Sequence, residues 1–185
     1  YATTAISNLA MALYEKDPVN YYRSIDMMKS CIKSDLNLFG KYHPDTAKTF
    51  LNIGGLYSKI GEYDKAIEYL DKCLNIATNI YDEHHQLVST ACSNLGGIYF
   101  KKNDLVMAER FLKRCIRIDK LLYDEHHPNL GVSKFNLAKL FIASGNFNKA
   151  KSNLLDAREI FWMNFGSDHP HTQMASEKLK ELNDR

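Results

Sequence analysis

Two pairs of adjacent histidines are the first residues in this sequence that could carry out chemistry. His84-His85 and His126-His127 each follow a glutamate, and the second pair lies 42 residues after the first. Imidazole and carboxylate groups bind zinc, but a zinc site needs three or four ligands that converge on one point. Neighbouring residues at a helix entrance point apart, so we interpret these histidines as loop and helix-cap residues. We predict no metal site and no cofactor.

Three asparagines share the 42-residue spacing, at Asn52, Asn94 and Asn136. A side-chain amide can accept a hydrogen bond from a peptide N–H and donate one to a peptide C=O. A row of such amides could therefore hold an extended peptide whatever its side chains are. These residues are our first candidates for a binding site.

Catalytic motifs are missing from the sequence. It contains no G-x-S-x-G, no glycine-rich phosphate loop and no H-E-x-x-H. Its four cysteines form no C-x-x-C pair, and three of them, Cys31, Cys73 and Cys115, again lie 42 residues apart. We interpret the cysteines as reduced core residues of a cytosolic or nuclear protein. The chain is therefore predicted not to be an enzyme.

A tandem repeat explains the shared spacing of these unrelated residue types. His-Pro occurs at His43, His127 and His169, and His85-Gln86 fills the one gap. We predict one domain, residues 1–185, with an irregular repeat at 1–42 and a capping helix at 169–185. The three regular repeats are predicted at 43–84, 85–126 and 127–168.

Each repeat has the hydrophobic period of two helices. A first helix is predicted at 44–60, where the proline suits the first helical turn. It ends at Gly61, and the matching residues Asn103 and Gly145 also tolerate a left-handed backbone. A second helix is predicted at 63–81, with its apolar residues on one stripe.

This arrangement resembles the tetratricopeptide repeat (TPR). The residues that carry the resemblance are Ile53-Gly54-x-x-Tyr57 and Ala66-x-x-x-Leu70, and the same frame returns in the next two repeats. The 42-residue length, with His-Pro opening each repeat, is similar to the repeats of kinesin light chains. The resemblance implies an all-α, right-handed superhelical solenoid of antiparallel helix pairs with a C-terminal capping helix. It also implies a protein or peptide partner.

The two ends of the chain depart from the regular pattern. Asn8 lies 44 residues before Asn52, so we expect a two-residue insertion, most simply at residues 16–20. The segment 170–183 is predicted to be one polar helix that covers the last apolar face. Its inward residues are predicted to be Met174, Ala175, Leu179 and Leu182.

Helical periodicity places each asparagine about 100° from the buried stripe, toward the inner, concave side of the superhelix. Four lysines share this face by their spacing, and they complete the predicted peptide-binding set: Lys48, Lys59, Lys101 and Lys139. Asparagines at the matching position contact bound peptide in kinesin light chains and in chaperone-tail-binding TPR proteins, so the resemblance implies the same role here. The alternative is that each asparagine caps or bridges to the neighbouring repeat.

Paired glycines lie inside two of the first helices, at Gly54-Gly55 and Gly96-Gly97. We interpret them as sites where paired helices approach closely. Gly55 and Gly97 also lie one turn from an asparagine, which leaves room for the backbone of a partner.

Charge adds a preference for an acidic partner. The first-helix segments 44–60, 86–102 and 128–144 hold six lysines and one aspartate, whereas the 185-residue chain has a net charge of only +2. Lysines on a groove wall favour an acidic peptide or a terminal carboxylate. The small overall charge does not favour nucleic-acid binding.

Composition places the chain among ordinary globular proteins, because 45% of its residues are hydrophobic and 25% are charged. No apolar run is long enough for a membrane-spanning helix, so we predict no membrane insertion. The chain begins at Tyr1 rather than Met, and we expect it to be part of a larger cytoplasmic adaptor or scaffold.

Two other functions remain open. The repeats could pack on another domain or on a second copy, which would give a concentration-dependent mass. They could instead supply substrate recognition to a catalytic domain elsewhere in a larger enzyme, which only the full-length sequence would reveal.

Overall fold

The computed structural model describes residues 20–184, and these residues form helices connected by short turns. The eight helices of this range are α1 Asn20–Phe39, α2 Pro44–Lys59, α3 Tyr63–Tyr81, α4 Gln86–Lys101, α5 Leu105–Leu122, α6 Pro128–Ala143, α7 Phe147–Phe165 and α8 Pro170–Asn183. No strand occurs between residues 20 and 184. The all-α prediction is confirmed, and the helices predicted at 44–60 and 63–81 end within one residue of their predicted positions.

The helices fall in pairs inside the predicted repeats. The ranges 43–84, 85–126 and 127–168 each contain two helices, and 169–185 contains α8 alone. In the irregular first repeat, α1 occupies the place of the second helix. Asn8 and the insertion expected at residues 16–20 lie outside the described residues, apart from Asn20, which begins α1.

The turn within each regular repeat has a left-handed residue at the predicted position. Gly61, Asn103 and Gly145 have φ angles of 83°, 61° and 74°. Glycine adopts this backbone without steric cost, and asparagine tolerates it better than most residues. The three turns therefore confirm the prediction.

Histidine caps the first helix of each of the three regular repeats and also caps α8. The Nδ1 atoms of His43, His85, His127 and His169 accept a hydrogen bond from the backbone N–H two residues later, at 3.1–3.3 Å. Each imidazole also stacks on an aromatic ring four residues earlier, with centroids 3.8–4.4 Å apart. The helix-cap interpretation of these histidines is confirmed.

We predict that His127→Ala lowers the free energy of unfolding by about 1 kcal/mol, because α6 loses its N-cap acceptor. His127→Asn is the matched control, since its side-chain oxygen can accept the same bond while the stacking on Tyr123 is lost in both variants. Urea denaturation measures the difference. Equal stability of the alanine and asparagine variants would show that the cap contributes nothing.

The chain divides into two compact units, and the division falls within α4, between Asn94 and Leu95. In unit 1, residues 1–94, α2 packs on both α1 and α3. A Cβ atom added at Gly54 would lie 2.7 Å from Leu70 Cγ. The predicted close approach of paired helices is therefore present at Gly54, whereas a Cβ atom at Gly55 would meet nothing within 4 Å.

In unit 2, residues 95–185, α6 packs on α5 and α7, and α8 packs on α7. Ala175 and Leu179 of α8 are buried against Phe161 and Leu154, and Leu182 is half-buried. The prediction for Met174 is wrong, because 47% of this residue is exposed. Thr172, which the sequence did not single out, is buried on α8 instead.

The cysteines are core residues, as predicted. All four are buried, and none forms a disulfide. Burial raises the pKa of the Cys73 thiol to about 12, because a thiolate would lose its hydration there. Cys115 has polar neighbours: its Sγ lies 3.2 Å from Ser133 Oγ, which donates a 2.9 Å hydrogen bond to Asp119 Oδ2.

Candidate functional site

Unit 1 presents Asn52 on the surface of α2. The side chain is half-buried and lies between Lys48 and Lys59 along the helix, and both lysines are exposed. Within residues 20–184 the amide of Asn52 makes no hydrogen bond. The backbone beside it is open, because nothing lies within 4 Å of a Cβ atom at Gly55. A partner could therefore reach both the amide and the helix backbone.

Asn94, the last residue of unit 1, has the same environment on α4. It is half-buried, and its side chain has no hydrogen-bond partner in the described part of the chain. Thr90, one turn earlier, is exposed and donates its hydroxyl to the Gln86 carbonyl at 2.9 Å. The amide of Asn94 is thus available for a partner, whereas the Thr90 hydroxyl has already used its one donor hydrogen.

Unit 2 presents Asn136 on α6 together with two lysines. Asn136 is half-buried, and again no residue between 20 and 184 hydrogen-bonds to its side chain. Lys139 is half-buried, and its Nζ lies 5.6 Å from the centre of the Phe135 ring. Burial lowers the pKa of Lys139, and the nearby charge of Lys101 lowers that pKa further. An anion bound between Lys101 and Lys139 would stabilise the charged form of Lys139 and so counteract both causes of the lowered pKa.

Unit 2 also has an open backbone position next to its exposed lysine. A Cβ atom at Gly97 would meet nothing within 4 Å, and Lys101 is exposed on the same helix. A Cβ atom added at Gly96, in contrast, would lie 2.7 Å from Leu112 Cγ. The close-approach interpretation of the paired glycines is thus wrong for Gly55 and Gly97, which leave surface space instead.

Lys134 does not contribute a free charge to this surface. Its ammonium pairs with the carboxylate of Asp156 on α7, and only 17% of the lysine side chain is exposed. The sequence count of six lysines on the first helices therefore overstates the charge available to a partner. The matching residues in unit 1, Phe50 and Lys72, make a different contact. There the Lys72 ammonium lies 5.9 Å from the centre of the Phe50 ring, so the ion pair of unit 2 stands in place of a cation–π contact.

The loop histidines His84 and His126 make contacts with acidic residues close to them in the sequence. His84 Nδ1 lies 3.9 Å from Asp82, and His126 Nε2 lies 3.5 Å from Glu125, in each case within the loop between two repeats. No group of three or more potential metal ligands occurs among residues 20–184. Every helix in that range is too short or too polar to cross a bilayer.

Sequence comparison identifies the family. The tetratricopeptide repeat family matches residues 1–79, 46–121 and 87–161. No curated protein matches the chain.

Solved structures show the same fold at low sequence identity. The structure of putative kinesin light chain nearly identical TPR-like repeats from Podosopora anserina has a TM-score of 0.81 at 16% identity, over 98% of this chain and 85% of that chain. BtubC (BKLC) from P. vanneervenii has a TM-score of 0.78 at 21% identity, over 91% and 66%. The apo form of RapI has a TM-score of 0.81 at 17% identity, over 100% and 64%. The likeness to kinesin light chains inferred from the sequence is thus confirmed, and the chain belongs to the tetratricopeptide repeat family of protein-interaction modules.

Proposed function

We propose that this chain is a non-catalytic module that binds an extended peptide through the asparagines of its first helices. Unit 1 contributes Asn52 and Asn94, and unit 2 contributes Asn136. The observation that carries the proposal is that all three amides are half-buried and make no hydrogen bond within residues 20–184. An amide in this state can pair with a peptide backbone without first breaking a bond inside the protein.

The charges beside these amides favour an acidic peptide. Lys139 is half-buried, has no carboxylate partner in the described residues and is repelled by Lys101. A carboxylate from a partner would replace part of the hydration that Lys139 has lost, so binding should weaken as salt is added. In unit 1, the exposed Lys48 and Lys59 would add long-range attraction to the same kind of partner.

A peptide selection with charge-reversal variants tests this proposal. Short random peptides displayed on phage are selected against the full chain, and the enriched peptides are then measured by fluorescence polarisation. We expect enrichment of Asp and Glu, and we expect Lys139→Glu to weaken binding by at least about tenfold, or 1.4 kcal/mol. Asn136→Ala should weaken it by a similar factor, because a buried peptide hydrogen bond is lost.

Lys120→Glu is the matched control, because it changes the net charge equally from an exposed position on a second helix, α5. It should leave the affinity within about twofold of the wild type. Circular dichroism confirms that each variant is folded. Unchanged binding by a folded variant that lacks all three asparagines would reject the site.

We further propose that the chain acts as an adaptor or scaffold in a reducing compartment such as the cytoplasm. Support comes from the four buried cysteines, which form no disulfide. Association with a second copy would appear as a concentration-dependent mass in sedimentation of the full chain. A monomer that still binds the selected peptides would favour the adaptor.

A further inference from the structure

Unit 1 contains a second candidate surface, a cavity of about 720 Å³ bounded by α1, α2 and α3. Its apolar wall is formed by Leu36, Phe50 and Ile76. The polar residues that also line it are Lys41, Glu68, Asp71, Lys72 and Asn75. The volume lies within the range of ordinary ligand pockets, so one large side chain of a partner would fit inside.

This cavity is separate from the asparagine surface. Phe50 and Asn52 are two residues apart on α2, and two residues of an α-helix turn through about 200°. The two side chains therefore leave α2 in nearly opposite directions, and Asn52 does not line the cavity. Occupation of one surface leaves the other accessible.

The end of α1 and the loop after it expose an unusual amount of apolar surface. Leu38 is 70% exposed, Phe39 and Tyr42 are each 53% exposed, and Leu36, which lines the cavity, is 40% exposed. Single exposed apolar residues are common, but a run of four within seven positions beside a cavity is typical of a protein-binding surface. Aromatic residues in such places contribute strongly to binding.

Among the charged residues that line the cavity, Glu68 and Lys72 are paired with each other, whereas Asp71 is not paired in the described part of the chain. Glu68 and Lys72 form an ion pair at 2.5 Å, and the Lys72 ammonium also lies 4.8 Å from the centre of the Tyr69 ring. Asp71 has no ion pair within residues 20–184. Asp71 is exposed, yet partial loss of hydration raises the pKa of its carboxyl. A cation from a partner would stabilise this carboxylate.

The matching cavity of unit 2 shows that two of the three apolar wall residues, Leu36 and Phe50, are particular to unit 1. A cavity of about 440 Å³ occurs there, between α5, α6 and α7. The residues Lys120, Lys134 and Glu159 stand where unit 1 has Leu36, Phe50 and Asn75. The TPR fold therefore accepts charged residues at the positions of Leu36 and Phe50, whereas Ile76 has an apolar counterpart in Ile160.

We propose that the unit 1 cavity binds a segment of a partner protein that inserts one bulky apolar side chain and places a Lys or Arg beside Asp71. The apolar wall accounts for the inserted side chain, and the unpaired carboxylate accounts for the cation. Lys41 is exposed on the loop between α1 and α2, and its ammonium lies 5.3 Å from the centre of the Tyr42 ring. It would repel that same cation.

The proposal can be tested with substitutions that introduce residues already present at the equivalent positions of other repeats. The fold already accepts these residues there. Asp71→Lys introduces the residue that the next repeat has as Lys113, and Leu36→Lys introduces the residue that unit 2 has as Lys120. Lys41→Glu introduces the residue that unit 2 has as Glu125 and serves as the matched control. The probe is a phage library of short random peptides presented to the full chain.

The wild-type chain is expected to enrich peptides in which Leu, Phe or Trp lies next to Lys or Arg. Asp71→Lys and Leu36→Lys should each weaken binding of these peptides by at least about tenfold, whereas Lys41→Glu should leave it unchanged or make it tighter. Asn52→Ala should have no effect. The proposal is overturned if no such peptides are enriched, or if Asp71→Lys binds them as well as the wild type. Tighter binding to Asp71→Lys than to Lys41→Glu would indicate an acidic partner and would also overturn it.

Discussion

Gly54→Ala is expected to lower the free energy of unfolding by about 1–3 kcal/mol, the usual cost of overpacking a core. The new methyl group would lie 2.7 Å from Leu70 Cγ and 3.2 Å from the carbonyl oxygen of Ala66. Leu70 is fully buried, so its side chain has little room to move. Urea denaturation followed by circular dichroism measures the change.

Gly55→Ala, at the adjacent residue, is expected to raise the free energy of unfolding instead of lowering it. Nothing lies within 4 Å of a Cβ atom at this position, so alanine brings only its higher helix propensity, about 0.5–1 kcal/mol of added stability. The same methyl group would cover helix backbone one turn from Asn52. We therefore expect the variant to be more stable and to bind peptide more weakly. Stabilisation by both alanine substitutions would contradict the close contact between α2 and α3.

Asp119→Ala is expected to lower the free energy of unfolding by about 1–3 kcal/mol, because it leaves buried polar groups without an acceptor. The carboxylate accepts a 2.9 Å hydrogen bond from Ser133 and lies 3.5 Å from Cys115 Sγ. All three residues are at most 3% exposed. Water therefore does not replace the lost acceptor.

The double variant Asp119→Ala, Ser133→Ala supplies the control. It reproduces the preceding repeat, in which Ala77 and Ala91 occupy the equivalent positions and are fully buried. Removing both partners should cost less than the sum of the single substitutions, by about 1 kcal/mol. Strict additivity of the two single effects would show that the hydrogen bond contributes no coupling energy.

The helices and turns could be predicted from the sequence because their signals are local and occur in every repeat. The helix of residues 63–81 has one apolar stripe, and Gly61, Asn103 and Gly145 mark the turns. The histidine caps were also predictable, since the His-Pro pairs identify the start of a helix. Three or four copies of each signal make chance agreement improbable.

Features that depend on packing between distant residues were not predictable in the same way. The pairing of Lys134 with Asp156 joins residues 22 positions apart and has no local signature. Met174 was expected to be inward from periodicity alone, but it is 47% exposed, and the buried residues of α8 are Thr172, Ala175 and Leu179. The cavity of unit 1 is lined by residues of three helices, so no local pattern in the sequence marks it.

The central claim is that the amides of Asn52, Asn94 and Asn136 pair with a bound peptide, and their side-chain NH₂ signals in a ¹H–¹⁵N NMR spectrum report on this directly. A peptide selected against the full chain should shift all three signals as it saturates the protein. The side chain of Asn153 is the internal control, because it already donates to the Lys149 carbonyl at 2.8 Å and should not respond. Saturation by the peptide with the three asparagine signals unmoved would contradict the account.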